Sequence, residues 1–263
     1  MTGRAVTSLT NPTVKAVRGL HLRKEREESG LFLAEGLKII TEAVELGHAP
    51  RTLLYGPDAS HPLLKKAIQA TEAAGGEVIE VTQGILEKIS RRDNPQMVIG
   101  VFAQAFTPLD QLEPNAAACW VALDRVRDPG NLGTVIRTAD AAGCGGVILV
   151  GDCCDPYSVE AVRATMGSVF AVKIARASVE EFLAWRTSWP GSVVGTQLSA
   201  TVDYRAAEYR RPALVLMGNE QAGLPPDLTA ACDLAVKIPM RGRADSLNLA
   251  VATGIMIYAA TAN

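Results

Sequence analysis

The chain has 263 residues, of which 48% are hydrophobic, enough for one large core or two ordinary ones, and its net charge is −2. No apolar run approaches the roughly 20 residues of a membrane span, and Met1–Leu20 has no signal-peptide core, so the reading is of a cytoplasmic protein. Cys119, Cys144, Cys153, Cys154 and Cys232 form neither a disulfide framework nor a C-x-x-C pair, and His21, His48 and His61 are isolated; reduced thiols and no metal site are expected, with Cys153 and Cys154 read as buried small residues rather than a redox pair.

In chain order, Asn11-Pro12 reads as an N-cap followed by proline at the first helical position, and Val14, Val17 and Leu20 recur at helical spacing. After Gly30, β-rich runs at 31–34, 52–55, 77–81 and 97–103 alternate with helix-like runs at 37–46, 62–74 and 83–89. This predicts a small α/β sandwich over residues 1–106. Residues 107–117, with Pro108, Asp110, Glu113 and Pro114, break every periodicity and read as a linker. Alternation then restarts over residues 118–263. Strands are predicted at 119–123, 146–150, 170–174, 193–196, 213–217 and 234–238, and helices at 132–142, 158–166, 179–189 and 246–260. That pattern predicts a second α/β domain with a mostly parallel sheet.

Charge is nearly balanced along the chain. Residues 1–106 hold 13 Lys/Arg against 12 Asp/Glu, and residues 107–263 hold 13 against 16. The cluster Arg23, Lys24 and Arg26 fits a local positive stripe for a polyanion as well as it fits a solvated helix face. Two common nucleotide sites are excluded. Gly143-Cys144-Gly145-Gly146 follows a helix and precedes a strand, the reverse of a dinucleotide fingerprint, and there is no G-x-x-x-x-G-K-[ST] loop.

Three segments of the second half place a Gly-bearing turn with polar side chains between a strand and a helix, where α/β folds build ligand sites. They are Asp128-Pro129-Gly130-Asn131-Leu132-Gly133-Thr134-Val135-Ile136-Arg137, Leu216-Met217-Gly218-Asn219-Glu220-Gln221-Ala222-Gly223-Leu224, and Ile238-Pro239-Met240-Arg241-Gly242 continuing to Ser246-Leu247-Asn248-Leu249-Ala250. From the residues alone, Asn131 suits an N-cap of the helix that follows, and Arg137 suits a partner carboxylate or phosphate. Glu220 suits a helix start, and Asp245 or Ser246 a cap of the last helix.

In this order and spacing the three segments closely resemble motifs 1 to 3 of the SpoU/TrmH branch of the SPOUT RNA methyltransferases, over about residues 119–260. Arg163-Ala164-Thr165-Met166-Gly167-Ser168-Val169-Phe170 is similar to the R-A-S-x-G-A-x-F segment of that family, with Thr165 and Ser168 as small departures. The opening is similar to the ribosomal-protein-like substrate-binding domain fused ahead of many SpoU-type enzymes. Asn11-Pro12, Val14, Lys15, Arg23, Lys24, Arg26 and Gly30-x-Phe32-Leu33-x-Glu35-Gly36 carry that likeness.

The resemblance implies a trefoil-knotted SPOUT domain with a mostly parallel sheet, behind a smaller N-terminal α/β/α sandwich, assembled as a homodimer. It implies methyl transfer from S-adenosylmethionine to a ribose 2′-hydroxyl of RNA. Ribosomal RNA is the expected substrate; the alternatives are transfer RNA and a non-catalytic RNA-binding homologue. By the same resemblance Asn131, Arg137, Glu220, Ser246 and Asn248 are catalytic, and Gly218, Ile238 and Leu247 hold the cofactor. Arg137 is read as a clamp on the developing 2′-oxyanion, since a guanidinium rarely gives up its proton. Arg23, Lys24, Arg26, Arg91, Arg92 and Arg163 are the expected RNA contacts, Arg163 having a pairing with Glu160 as its other reading.

Overall fold

The computed structural model describes residues 4–262. In chain order its first elements are β1 (Arg4–Val6), α1 (Pro12–Gly19), α2 (Arg23–Ser29), β2 (Leu31–Glu35), α3 (Leu37–Glu45), β3 (Thr52–Tyr55), α4 (Pro62–Ala73), β4 (Glu77–Val81), α5 (Gln83–Ser90) and β5 (Val98–Ala103). There follow β6 (Cys119–Asp124), α6 (Pro129–Ala141), β7 (Gly146–Val150), α7 (Val159–Thr165), β8 (Lys173–Ala177), α8 (Val179–Arg186), β9 (Val193–Thr196), β10 (Val202–Asp203), β11 (Ala213–Met217), α9 (Pro226–Ala230), β12 (Leu234–Lys237) and α10 (Leu249–Thr261). Two compact units result. One comprises the chain up to Gln104 together with Tyr157–Phe170, the other Ala105–Pro156 together with the chain from Ala171 on.

The first unit has a five-stranded sheet in the order β1-β4-β3-β5-β2. β1, β4 and β3 run parallel, while β5 is antiparallel to both β3 and β2. Because alternate strand residues face opposite ways, Leu33, Leu54, Ile79, Ile99 and Val101 gather on one face with Val14 and Val17 of α1 and Ile85, Leu86 and Ile89 of α5. Asn11 caps α1 as expected, its Oδ1 accepting from the backbone N–H of Thr13 at 2.9 Å. α2 has no apolar stripe to announce it. Its exposed side holds the pairs Arg23–Glu27 and Lys24–Glu28, and Gly30 ends it at φ 66°.

The expected division into 1–106, a linker and 118–263 differs from the structure in two ways. Residues 157–170 belong to the first unit, where they cover its edge strand β2. Phe32 of β2 packs on Tyr157 at a centroid distance of 4.6 Å, and Phe170 packs edge-on against Phe102 at 4.7 Å. Arg163 donates to Glu35 at 2.6 Å. An edge strand carrying a large apolar ring needs such a cover. For that reason the strand predicted at 170–174 begins only at Lys173. Residues 107–117, for their part, are an ordered strap on the second unit. Thr107 N–H donates to Ile174 O, Leu112 is buried, and Pro114 O accepts from the Trp120 indole.

The second unit holds a seven-stranded, all-parallel sheet in the order β10-β12-β9-β11-β6-β7-β8. β6 and β11 are buried throughout, and the continuous apolar run of each is what a strand covered on both faces requires. Met217 pairs with both Leu123 and Thr196, and Val236 pairs with Thr196, so β6, β11, β9 and β12 end on the same rim. From β6 the chain runs outward to β7 and β8, then crosses back to β9 on the other side of the sheet. Loops at such a reversal leave a crevice beyond the strand ends.

Candidate functional site

Four loops leave that rim. The first, after β6, turns through Arg125 at φ 46°, a left-handed backbone uncommon for a side chain other than glycine or asparagine. The Arg125 guanidinium grips the buried carboxylate of Asp124 through Nε and Nη2, at 3.0 and 2.8 Å, so a buried charge finds its partner in the adjacent residue. Asp128 then caps α6, accepting the Asn131 N–H at 2.6 Å. This corrects the reading of Asn131 as the cap: Pro129 starts the helix two residues earlier, and the Asn131 side chain is left for other work. Its Oδ1 accepts from Asn248 Nδ2 at 2.8 Å.

Asn248 is itself the cap of α10, its Oδ1 accepting from the N–H groups of Ala250 and Val251. That replaces the expected caps Asp245 and Ser246, and α10 starts at Leu249 instead of Ser246. One amide thus fixes the last helix with its oxygen and Asn131 with its nitrogen.

The loop after β11 closes on itself. Asn219 and Gly223 exchange backbone hydrogen bonds at 3.1 and 2.9 Å. A Cβ at Gly218 would lie 2.2 Å from the Gly223 carbonyl carbon and 2.3 Å from Leu224 N. The glycine is therefore needed first for the loop to fold back over it. Glu220 is not a helix start, since α9 begins at Pro226; it is exposed, and its carboxylate faces the Arg127 N–H at 3.4 Å.

Three of these loops, those after β9, β11 and β12, enclose a pocket of about 380 Å³, and no residue of the first loop lines it. Gly218, Glu220, Ile238, Ser246 and Leu247, all expected from the sequence, line it, as do Met240 and Leu249 of the third segment; so does the loop after β9, Gln197–Ser199, which the sequence did not single out. The lining includes the apolar side chains of Leu198, Ile238, Met240, Leu247 and Leu249 together with the 218–224 loop. Thr196 at the end of β9 also lines the pocket, and its buried Oγ1 has no hydrogen-bond partner among the described residues. The size, the apolar slot and an unsatisfied hydroxyl fit a ligand with one flat apolar part and several polar edges, as in an adenosine. A second, polar pocket of about 460 Å³ lies across the 219–222 loop and is lined by Arg125, Arg127 and Asp128.

Arg137 lines neither pocket. It is exposed on α6 and has no ion pair or hydrogen bond among the described residues.

A match to the SpoU rRNA methylase family covers residues 118–258, more than half of the chain. The chain belongs to this family. Residues 11–100 match the MRM3-like substrate binding domain. The structure is similar to the crystal structure of an AdoMet-bound rRNA methyltransferase from Sinorhizobium meliloti, with 52% identity, a TM-score of 0.92, and coverage of 98% of this chain and 97% of that one. It is also similar to the SpoU methyltransferase AviRb from Streptomyces viridochromogenes in complex with the cofactor AdoMet, at 32% identity and a TM-score of 0.84 over 96% of this chain and 97% of that one. Among curated relatives, a 23S rRNA (uridine(2479)-2′-O)-methyltransferase of Streptomyces viridochromogenes is 34% identical over 245 residues, which are 90% of this chain and 85% of the relative. The chain is accordingly an S-adenosylmethionine-dependent RNA 2′-O-methyltransferase of the SpoU family.

The candidate RNA contacts fall into three groups. Arg91 and Arg92, at the left-handed end of α5, are exposed and without a partner among the described residues. Arg23 and Lys24 are exposed but paired along α2. Arg26 and Arg163 are structural. Arg26 is 3% exposed, with Nη1 donating to Leu20 O at 2.8 Å, and Arg163 is committed to Glu35 and the Ser90 carbonyl instead of Glu160. Both depart from the expected polyanion stripe, Arg26 because it is buried and Arg163 because its half-buried guanidinium is engaged by Glu35.

All five cysteines are free, and burial pushes the Cys153 thiol up to about 11 and Cys154 up to about 12, which keeps them protonated and unreactive. Among the described residues no cluster could hold a metal ion, and no helix is long and apolar enough to cross a membrane.

Proposed function

We propose that the enzyme methylates a ribose 2′-hydroxyl in large-subunit ribosomal RNA, in the cytoplasm and as a homodimer, using the three-loop pocket for S-adenosylmethionine and the first unit for RNA. The observation that carries the site is the hydrogen bond between Asn131 and Asn248, which ties the start of α6 to the third loop; neither amide lines the pocket, but Asn248 stands between Leu247 and Leu249, which do. Bound there, S-adenosylmethionine supplies a methyl group on a positively charged sulfur. Ile238, Met240 and Leu247 form the slot for a flat apolar base, with the Gly218–Leu224 backbone offering polar groups.

A 2′-hydroxyl is a poor nucleophile until its proton leaves and the oxygen is aligned. Asn131, held by Asn248, orients the ribose. Arg137 stabilises negative charge as it develops on the 2′-oxygen, while Glu220 and Ser246 complete the polar rim.

The homodimer reading is supported by the apolar groove between α6 and α10, lined by Thr134, Thr138, Val251, Gly254, Ile255 and Tyr258, in which Val251 and Tyr258 are 53% and 55% exposed. Arg137 does not line this groove, but it lies one turn from the groove residue Thr134 along α6, so association through the groove would bring it near an interface.

Two measurements test the reading: calorimetry of S-adenosylmethionine on the full chain, and primer extension at low nucleotide concentration on RNA from a deletion strain. One 2′-O-methyl stop should vanish from ribosomal RNA. A stop lost from transfer RNA alone would move the substrate, and no cofactor binding would leave a non-catalytic RNA-binding protein.

A further inference from the structure

Asn219 has a part in the site that neither its motif nor its neighbours disclose. Its amide oxygen accepts from the N–H groups of Gln221 and Ala222, at 3.0 and 3.1 Å, which shapes the loop that walls the cofactor pocket. Its amide nitrogen turns the other way. It donates to the Arg125 carbonyl at 2.9 Å and, more weakly, to Glu220 at 3.4 Å. Arg125 occupies the left-handed turn from which Arg127, Asp128 and the capped start of α6 follow, and Glu220 faces the Arg127 N–H. The same loop, 219–222, is the wall between the two pockets.

We infer that Asn219 is a positioning residue with two separable halves. The oxygen sets the cofactor loop, and the nitrogen fixes the first loop, and through it Asn131 and the start of α6, relative to that cofactor. The inference rests on the proposed roles of the pocket and of Asn131. A side-chain amide that donates to the backbone carbonyl of this left-handed turn from another strand's loop pins the turn without adding charge beside Glu220.

The two halves can be separated chemically. Asn219→Asp keeps an acceptor for Gln221 and Ala222, but sets a carboxylate against the Arg125 carbonyl and Glu220. Asn219→Ser keeps a hydroxyl that can hold a turn of this kind, yet it is too short to reach Arg125. Asn219→Ala removes both functions.

For the full chain we expect Asn219→Asp and Asn219→Ser to bind S-adenosylmethionine within about threefold of wild type by calorimetry, and Asn219→Ala about tenfold more weakly, as for loss of hydrogen bonds near 1.4 kcal/mol. Turnover at saturating cofactor should fall about 100-fold in both the Asp and Ser variants, the scale of a small misplacement of reacting groups. As pH is lowered toward 5.5, the Asp variant should regain turnover relative to wild type, because a protonated carboxyl donates again; the Ser variant should not.

Equal cofactor loss in all three variants would overturn the division of roles. So would wild-type turnover in the Asp variant at pH 8, or identical pH profiles for Asp and Ser. If the Asp variant does not fold, as judged by its melting curve, Asn219→Ser against Asn219→Ala decides alone, since only the former should keep cofactor affinity. Failure of wild type itself to bind S-adenosylmethionine would instead sink the reading of the pocket.

Discussion

Arg137, proposed above to act on the 2′-oxygen, is idle in its own chain. Its segment is apolar until Asp140 apart from two threonines, yet the guanidinium meets no carboxylate among the described residues and lines neither pocket. A cation kept free in this way is available to substrate. Arg137→Ala should abolish methyl transfer while leaving S-adenosylmethionine affinity, measured by calorimetry, nearly unchanged; loss of cofactor binding at intact fold would disprove the role. Arg137→Lys should rescue poorly, because a point charge cannot reproduce a planar fork.

His21 invites a test of another kind. Its Nε2 donates to the Ile89 carbonyl at 2.5 Å, and burial holds its pKa below 6.5 against the raising effect of that bond. The unfolded chain therefore binds the proton more readily than the folded one. The stability that His21 contributes is full above pH 6.5 and falls as pH drops from there toward the lowered folded value. Melting temperatures between pH 7.5 and 5.5 should show this slope, and His21→Gln, which can still donate to Ile89 but does not titrate, should flatten it.

At the scale of elements, α7 is the instructive case. Periodicity predicted it nearly to the residue, at 158–166 against an observed Val159–Thr165, but not the unit it would join. Arg163 and Glu35 form an ion pair whose carboxylate side is 2% exposed, and Glu35 Oε1 and Arg163 Nε are buried without hydrogen-bond partners among the described residues. Removing one member leaves an uncompensated buried charge, so Arg163→Ala or Glu35→Leu alone should destabilise the chain by ~3 kcal/mol in urea unfolding. Replacing both by leucine should recover most of that loss, because the pair is imperfectly satisfied as it stands. An Arg163 engaged mainly with RNA would give the opposite result, with stability unchanged and RNA affinity reduced.

The α5 end differs. Arg91 and Arg92 are exposed and unpaired among the described residues, while Arg23 and Lys24 already have partners on α2. Neutralising Arg91 and Arg92 should lower the log–log salt dependence of RNA binding by about one unit per lost phosphate contact. Neutralising Arg23 and Lys24 should change it less. Equal slopes in both variants would place the RNA surface elsewhere.

For the whole molecule, the open groove of α6 and α10 sets the expected assembly. The proposed two-fold contact would use the exposed Val251 and Tyr258, which line this groove with Ile255. Val251→Glu with Tyr258→Glu should shift light-scattering mass from dimer to monomer, with methyl transfer lost alongside if Arg137 works at that interface. A wild-type chain that runs as a monomer at micromolar concentration would remove this groove from the mechanism.

The sequence alone determined the alternation of strands and helices, the parallel character of the second sheet and the three loops of the site. Each depends on patterns local to the chain. Side chains repeat with period 2 or 3.6, glycine sits where Gly218 must pass under Gly223, and polar residues follow strand ends. Elements without an apolar stripe stayed hidden, as α2 did, because ion pairs and a glycine cap hold it together. The tertiary structure alone decided the pairings across distance: Asn131 with Asn248, Asn219 with Arg125, Arg163 with Glu35, and Phe170 with Phe102. Their members are 68 to 128 residues apart, from Phe102 and Phe170 to Glu35 and Arg163, and no local period encodes which two groups will meet. It likewise decided which arginines are buried, since Arg26 and Arg23 are alike in composition and separated only by the face of α2 that the fold covers.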